Sequence, residues 1–185
     1  MTDRDLARLC LLANEEPTIS VGGVDCHIEG NVIAFAPTNE WADLWQTLDA
    51  WPLKAPMLGV RVHRGRWYAL ASFWLRARPM LEAERDPILT GFSLGGGDAI
   101  GIGTLLTKID RPPKAIVTFG APPIGGIGMR KILRGVEVRS YMGTRDHAHR
   151  PPFPWPLLYR PVRKRIVVPD CRHDIGDYIE RVPEC

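Results

Sequence analysis

The stretch Thr90-Gly91-Phe92-Ser93-Leu94-Gly95-Gly96-Gly97 spans the junction between an apolar segment, 86–92, and a segment with helical character, 94–108. It contains the pattern Gly-x-Ser-x-Gly, with Ser93 at its centre. A serine on a sharp strand-to-helix turn has a strained backbone, and the residues two before and two after it must be small for the turn to close. Gly91 and Gly95 meet this requirement, so the stretch predicts a nucleophile elbow.

The helix that follows Ser93 adds to this interpretation. Its N-terminus carries a partial positive charge, and the amide of Leu94 lies where an oxyanion would form. The alternative is a glycine-rich turn that only packs tightly or cradles a phosphate. A phosphate loop would continue with Lys and Ser or Thr, which are absent after Gly97.

A nucleophilic serine needs a base, and the base needs an acid that orients it. In hydrolases with this elbow the chain order is Ser, acid, His. His173 follows a predicted strand, 164–168, and precedes the last helix, so it is the candidate base. Asp146 follows the predicted strand 137–142 and is the candidate acid. His147 and His149 are interpreted as surface residues, although a zinc site that includes them with Cys171 and His173 is an alternative.

The spacing of apolar residues predicts strands and helices that alternate along the chain after residue 60. Helices are predicted at 3–16, 39–48, 66–81, 94–108, 125–134 and 174–182, and strands within 18–36 and at 60–63, 86–92, 114–119, 137–142 and 164–168. This alternation favours an α/β fold with a mostly parallel central sheet flanked by helices. The length of 185 residues suits one domain that covers residues 1–185.

The composition is that of an ordinary globular protein, which excludes disorder, collagen and coiled coil. Residues 1–50 hold nine acids and two bases, whereas residues 130–165 hold ten bases and two acids. The basic part is either a face for anionic lipid or is neutralised by the acidic part across the fold. No aromatic-basic motif accompanies the bases, so no nucleic-acid partner is expected.

The N-terminus begins with acids, and no run of 18 apolar residues occurs. Neither a secretory signal nor a transmembrane helix is therefore predicted, which favours a cytoplasmic location. A phage-encoded protein, or one exported by another route, would have the same features. The four cysteines, scattered without a Cys-x-x-Cys pair, are expected to be reduced.

The motifs around these residues resemble those of the class 3 (fungal-type) lipases, a family of α/β-hydrolases. Residues 90–96 are similar to T-G-H-S-L-G-G, and Thr118-Phe119-Gly120-Ala121-Pro122-Pro123-Ile124-Gly125 is similar to T-F-G-x-P-R-x-G. Asp146 with Pro151-Pro152 resembles the segment around the family's acid, and His173 with Tyr178 resembles the final H-x-x-Y, with wider spacing. Val62-His63-Arg64-Gly65 is similar to V-H-x-G-F. The similarities span roughly residues 30–180 in family order.

The resemblance implies a minimal α/β-hydrolase, a short bacterial or phage-like member. It implies that Thr38, in Phe35-Ala36-Pro37-Thr38, completes the oxyanion hole with Leu94; an N-cap role is the alternative. Segment 39–48 takes the position of the lid, with Trp41, Leu44 and Trp45 as its apolar face, or else is a fixed core helix. Phe153 and Trp155 either line the acyl pocket or pack against the sheet.

The resulting hypothesis is a serine carboxylester hydrolase that cleaves lipid or other apolar esters, with Ser93, His173 and Asp146 as the triad. It requires no cofactor and no metal, and it allows peripheral contact with a lipid surface. The alternative is a catalytically silent hydrolase fold that serves as a binding or structural module. Two departures from the family keep this alternative open, because Ala36-Pro37 replace Arg-Gly and Phe92 replaces the usual His.

Overall fold

The computed structural model describes residues 1–37, 49, 51–147 and 158–183. The α-helices seen there are α1 (Asp3–Glu15), α2 (Arg64–Ala83), α3 (Leu94–Lys108), α4 (Ile127–Ile132) and α5 (Ile175–Arg181), and a 3₁₀ turn, Leu133–Gly135, follows α4. The strands are β1 (Ile19–Val21), β2 (Val24–Glu29), β3 (Val32–Phe35), β4 (Pro52–Lys54), β5 (Arg61–His63), β6 (Ile88–Phe92), β7 (Ala115–Phe119), β8 (Glu137–Gly143) and β9 (Ile166–Val168).

Seven strands form one sheet in the order β1-β2-β3-β6-β7-β8-β9. Pairing is antiparallel from β1 to β3 and parallel from β3 to β9. The predicted α/β fold with a mostly parallel sheet is confirmed. The chain crosses from β6 to β7 through α3 and from β7 to β8 through α4, so the carboxyl ends of these strands share one edge of the sheet.

The central strands are apolar because helices cover both faces of the sheet. Alternate residues point to opposite faces. Ile33, Phe35, Leu89 and Ile116 belong to a core shared with α2 and α3. Val32, Ala34, Val117 and Phe119 belong to a core shared with α1 and α5.

A small hairpin made of β4 and β5 forms a second, two-stranded sheet. The sequence predicts β5 but not β4, because β4 begins at Pro52 and is followed by Pro56, and the two prolines interrupt any strand pattern. The backbone amide of His63 donates to the carbonyl oxygen of Ile124 at 2.8 Å, and Val62 forms a bridge with Gly125. The hairpin is thereby attached to the segment that follows β7.

Two ion pairs connect the layers. Arg66 of α2 and Asp98 of α3 are both almost fully buried and form a bidentate pair. Arg139 of β8 donates to both carboxylate oxygens of Asp3 in α1, at 2.8 and 2.7 Å. The second pair joins the acidic N-terminal part of the chain to the basic part. At this pair the two parts neutralise each other across the fold, which is one of the two alternatives that the sequence left open.

Helices of the described part are all too short or too polar to cross a bilayer. The expectation that residues 1–185 form one domain stays a prediction.

Candidate active site

Ser93 lies between β6 and α3 in a strained conformation, with φ +54° and ψ −128°. Its amide donates to the carbonyl oxygen of Phe119 at 2.9 Å, which ties the turn to the neighbouring strand β7. A Cβ atom on Gly91 would collide with the carbonyl oxygen of Gly95, and one on Gly95 would collide with that of Ala36. The turn can therefore close this tightly only with glycine at both positions.

Asp146 follows β8 in a turn that backbone hydrogen bonds hold to the segment after β9. Its amide donates to Gly143 at 3.1 Å, and the amide of Arg145 donates to Cys171 at 3.0 Å. The Asp146 side chain has no exposed surface. A buried carboxylate needs hydrogen-bond donors, and the partners of Asp146 include His173 and Tyr178.

His173 contacts both Ser93 and Asp146. Its Nδ1 lies 2.9 Å from Asp146 Oδ2, and its Nε2 lies 2.8 Å from Ser93 Oγ. An ionised carboxylate only accepts hydrogen bonds, so Nδ1 donates and Nε2 is left to accept the Ser93 hydroxyl proton. The imidazole also packs on Phe92, with 4.8 Å between ring centroids. The three side chains named from the sequence thus lie in one hydrogen-bonded chain.

The Tyr178 hydroxyl is a hydrogen-bond partner of Asp146. It donates to Asp146 Oδ2 at 2.6 Å and accepts from the amide of Gly143 at 2.9 Å. Burial and the hydrogen bond to Asp146 raise the pKa of Tyr178 above its usual value, so the phenol stays protonated. The sequence marked Tyr178 only as part of a motif, and this contact with the carboxylate was not foreseen.

Gly120 lies at the carboxyl end of β7 with φ +58°. A Cβ atom there would lie 2.5 Å from Asp146 Oδ2 and 3.0 Å from His173 Nδ1. The backbone of Gly120 therefore forms the wall against which the carboxylate and the imidazole meet. The glycine stands in a motif quoted from the sequence, but its closeness to the two side chains was not predicted.

Arg165 extends the charged surroundings of Asp146. Its guanidinium donates to the carbonyl oxygen of Ala121 at 3.3 Å. Burial lowers the pKa of Arg165, and the negative charge of Asp146 opposes this shift. The side chain thus supplies positive charge to the region around the buried carboxylate. Nothing in the sequence distinguished Arg165 from its basic neighbours.

Leu94 is the first residue of α3, where backbone amides have no acceptor within the helix. The role of this amide as a donor to an oxyanion stays a prediction. The other residues predicted for the oxyanion hole, lid and acyl pocket lie outside the described residues: Thr38, Trp41, Leu44, Trp45, Phe153 and Trp155.

Other acidic and histidine residues lie close in sequence to Asp146 and His173. Asp174 caps α5 by accepting from the amide of Asp177 at 3.1 Å. His147 is exposed, and His149 lies outside the described residues. Within the described ranges, no group of three or more His, Cys, Asp or Glu side chains is arranged to hold a metal ion.

Three cysteines, Cys10, Cys26 and Cys171, are free thiols and buried. Burial raises the pKa of Cys10 and of Cys26 to about 12, and that of Cys171 to about 11. A thiol reacts as its thiolate, so these three groups are inert at neutral pH. The expectation of reduced cysteines agrees with the state of these three.

Solved structures with the same fold include several fungal lipases. The nonglycosylated LIP2 lipase of Yarrowia lipolytica matches with a TM-score of 0.67 and 16% identity, over 90% of this chain and 78% of that chain. The triacylglycerol lipase of Penicillium expansum matches with a TM-score of 0.58 and 15% identity, over 89% and 77%. The Rhizomucor miehei lipase propeptide complex matches with a TM-score of 0.60 and 15% identity, over 82% and 54%.

Neither a family model nor a curated protein matches the chain. At this low identity the structural neighbours show the fold, which is that of lipase-like α/β-hydrolases. The expected bacterial or phage source gains no support from them.

Proposed function

We propose that this protein is a serine carboxylester hydrolase that acts through Ser93, His173 and Asp146. The observation that carries the proposal is the hydrogen-bonded chain from Ser93 Oγ to His173 Nε2, at 2.8 Å, and from His173 Nδ1 to Asp146 Oδ2, at 2.9 Å. Its serine stands on a turn with positive φ, whose geometry only two flanking glycines allow. Strained backbone conformations cluster at functional sites, and a serine needs a neighbouring base to act as a nucleophile.

In the proposed mechanism, Ser93 Oγ attacks the ester carbonyl carbon while His173 Nε2 takes the hydroxyl proton. Asp146 stabilises the imidazolium that forms and keeps Nδ1 protonated. The imidazolium then gives its proton to the leaving alkoxide, and the acyl group remains on Ser93. Water, deprotonated by His173, attacks the acyl-enzyme; the carboxylic acid leaves and Ser93 recovers its proton.

The negative oxygen of each tetrahedral intermediate needs donors that are already in place. The amide of Leu94, at the positive end of α3, is the proposed first donor. The proposed second donor is Thr38, on the strength of the family resemblance. The variants Thr38→Ala and Thr38→Ser test this second assignment. Serine keeps both the backbone amide and a hydroxyl, whereas alanine keeps the amide and loses the hydroxyl.

The proposed substrates are lipids or other apolar esters. The structural neighbours are lipases, and one of them is a triacylglycerol lipase. An inhibitor complex of a fungal lipase also matches, with a TM-score of 0.54 and 16% identity over 68% of this chain and 55% of that chain. The substrate class comes from these similarities, whereas the reaction type is supported by the site.

The test is hydrolysis of p-nitrophenyl esters of increasing acyl-chain length by the wild-type protein and by Ser93→Ala. We expect Ser93→Ala to lower kcat by about 10⁴-fold or more, because attack by the hydroxyl is lost while the fold remains. Ser20→Ala, on the exposed edge strand β1, is the matched control and should keep wild-type rates.

A fluorophosphonate probe should label the wild-type protein and not Ser93→Ala. Equal ester turnover by wild type and Ser93→Ala, together with no labelling of the folded wild type, would contradict the proposal. That result would favour the silent hydrolase fold acting as a binding or structural module.

A further inference from the structure

Three segments of the chain contain bases and no acid: 54–61, 126–134 and 158–165. They meet on one side of the fold. Gly125, just before the second segment, forms a bridge with Val62 of β5 and accepts from the amide of Arg160 at 2.9 Å. Arg163 donates to the carbonyl oxygen of Leu133 at 2.9 Å. The fold thus gathers positive charge that is separated in the sequence.

Seven cations of these segments are exposed, and together they are called the basic face: Lys54, Arg61, Arg130, Lys131, Arg134, Arg160 and Lys164. Within the described part of the chain, none of the seven forms an ion pair. Arg139, on the neighbouring strand β8, differs because Asp3 neutralises it. The basic face therefore keeps its charge, and such a field attracts a polyanionic surface.

A cleft of about 450 Å³ opens within the basic face, lined by Lys54, Gly59, Val60, Arg61, Gly126, Ile127, Gly128 and Leu158. Lys54 and Arg61 are direct cross-strand partners in the β4–β5 hairpin. Like charges in this register repel each other and destabilise a hairpin. An anion between them would relieve the repulsion, and the apolar walls suit the glycerol and upper acyl part of an amphiphile.

Large apolar side chains stand exposed beside these cations. Met57, in the turn of the hairpin, is 44% exposed, and Ile127, at the start of α4, is 59% exposed. Bases with protruding apolar side chains are the combination that binds membrane surfaces peripherally, because the charges attract anionic headgroups and the apolar groups enter the interface.

We propose that the basic face docks on an anionic lipid surface, with a headgroup phosphate held between Lys54 and Arg61. The chain that follows β7 runs from Gly120, at the Asp146–His173 contact, to Ile127 in the basic face. Docking would therefore hold the sheet edge that carries Ser93 close to the lipid. The docking itself depends on charge and not on the chemistry of Ser93, so it goes beyond the proposed hydrolysis.

The experiment measures co-sedimentation of the full chain with vesicles, in the Ser93→Ala background so that no lipid is consumed. The vesicles contain phosphatidylcholine alone or with about 30% phosphatidylglycerol. We expect binding only to the anionic vesicles, and loss of binding as salt rises from about 0.1 M to about 1 M. Each base near an anionic surface contributes about fivefold in partitioning, so Lys54→Gln/Arg61→Gln should lower it about 25-fold.

The matched control is Arg76→Gln/Arg85→Gln, which removes two exposed bases, unpaired within the described residues, from the second half of α2 and from the residues just after it. Because α2 starts beside Arg61 and rises about 1.5 Å per residue, both lie roughly 18 Å or more along the helix from that end. The control should bind like the parent. With Ser93 restored, Lys54→Gln/Arg61→Gln should hydrolyse a soluble p-nitrophenyl ester at the wild-type rate, which separates docking from catalysis. Circular dichroism verifies that both double variants are folded.

Equal binding to neutral and anionic vesicles would overturn the proposal, as would equal loss of binding in the two double variants. Binding to a single-stranded oligonucleotide in place of anionic vesicles, with the same dependence on Lys54 and Arg61, would assign the basic face to nucleic acid and also overturn it. Because binding is measured without turnover, these outcomes are independent of whether Ser93 is catalytic.

Discussion

Replacement of Gly120 by alanine introduces one methyl group directly behind the proposed acid and base. The added Cβ would lie 2.5 Å from Asp146 Oδ2. An ordinary carbon–oxygen contact is about 3.4 Å, so the carboxylate oxygen must retreat by about 0.9 Å. The same oxygen accepts from His173 at 2.9 Å and from Tyr178 at 2.6 Å, so its displacement should disturb both hydrogen bonds.

Two separate costs are expected for Gly120→Ala. The left-handed backbone, with φ +58°, costs an alanine about 1–2 kcal/mol, offset in part by about 0.4–1 kcal/mol from a stiffer unfolded chain. Overpacking against Asp146 adds about 1–3 kcal/mol. The free energy of unfolding should fall by about 2–4 kcal/mol, which lowers Tm by roughly 5–15 °C in a chain of this size. Misplacement by about 1 Å should lower kcat about 100-fold.

Gly30→Ala is a control that separates the two costs. Gly30 has φ +57°, close to that of Gly120, but a Cβ there meets nothing within 4 Å. This variant should lose about 1 kcal/mol of stability from the backbone alone and keep full activity. The assays are urea unfolding for stability and p-nitrophenyl ester turnover for kcat.

The reasoning would be refuted if Gly120→Ala kept the wild-type kcat while Gly30→Ala behaved as expected. Such a result would mean that the Asp146–His173 contact tolerates a shift of this size, or that it does not limit the reaction. Equal stability of the two variants would show that no collision occurs at Asp146.

Two further predictions concern hydroxyl and thiol groups near the sheet. Tyr178→Phe removes a buried donor to Asp146 and the acceptor of the Gly143 amide; it should cost about 1.5–3 kcal/mol in urea unfolding and lower kcat, and an unchanged kcat would restrict Tyr178 to a structural role. Burial raises the pKa of Cys10 and of Cys26 to about 12 and that of Cys171 to about 11, so these three groups remain neutral thiols at pH 8. Ellman's reagent should therefore find four thiols in denaturant but at most one in the native chain, and rapid reaction of more than one would contradict this burial.

Secondary structure was largely predictable because its signals are local. An apolar run, a glycine-rich turn and a helical segment follow one another directly, and α3 has the predicted bounds. Strand β6 ends at Phe92 as predicted but starts at Ile88, two residues later than predicted. The elbow at Ser93 was predictable for the same reason, since its steric requirement involves residues only two positions away. The β4–β5 hairpin was missed in part, because three-residue strands next to prolines leave almost no periodic signal.

The selection of Asp146 and His173 needed more than local pattern. It relied on the chain order Ser, acid, His, and on the positions of these residues after predicted parallel strands. The structure brings their side chains together, and their catalytic assignment stays a prediction. The predicted residues of the oxyanion hole and lid, Thr38 and segment 39–48, lie outside the described residues.

Patterns within a few residues of each other suffice to identify the α/β class and the turn at Ser93, and the order of the chain adds Asp146 and His173 as candidates. Distances between side chains far apart in sequence depend on how strands twist and helices pack, which no local pattern encodes. Tertiary structure therefore decided that His173 reaches Ser93 across 80 positions, that Tyr178 and Gly120 enclose Asp146, and that three acid-free segments form one basic face.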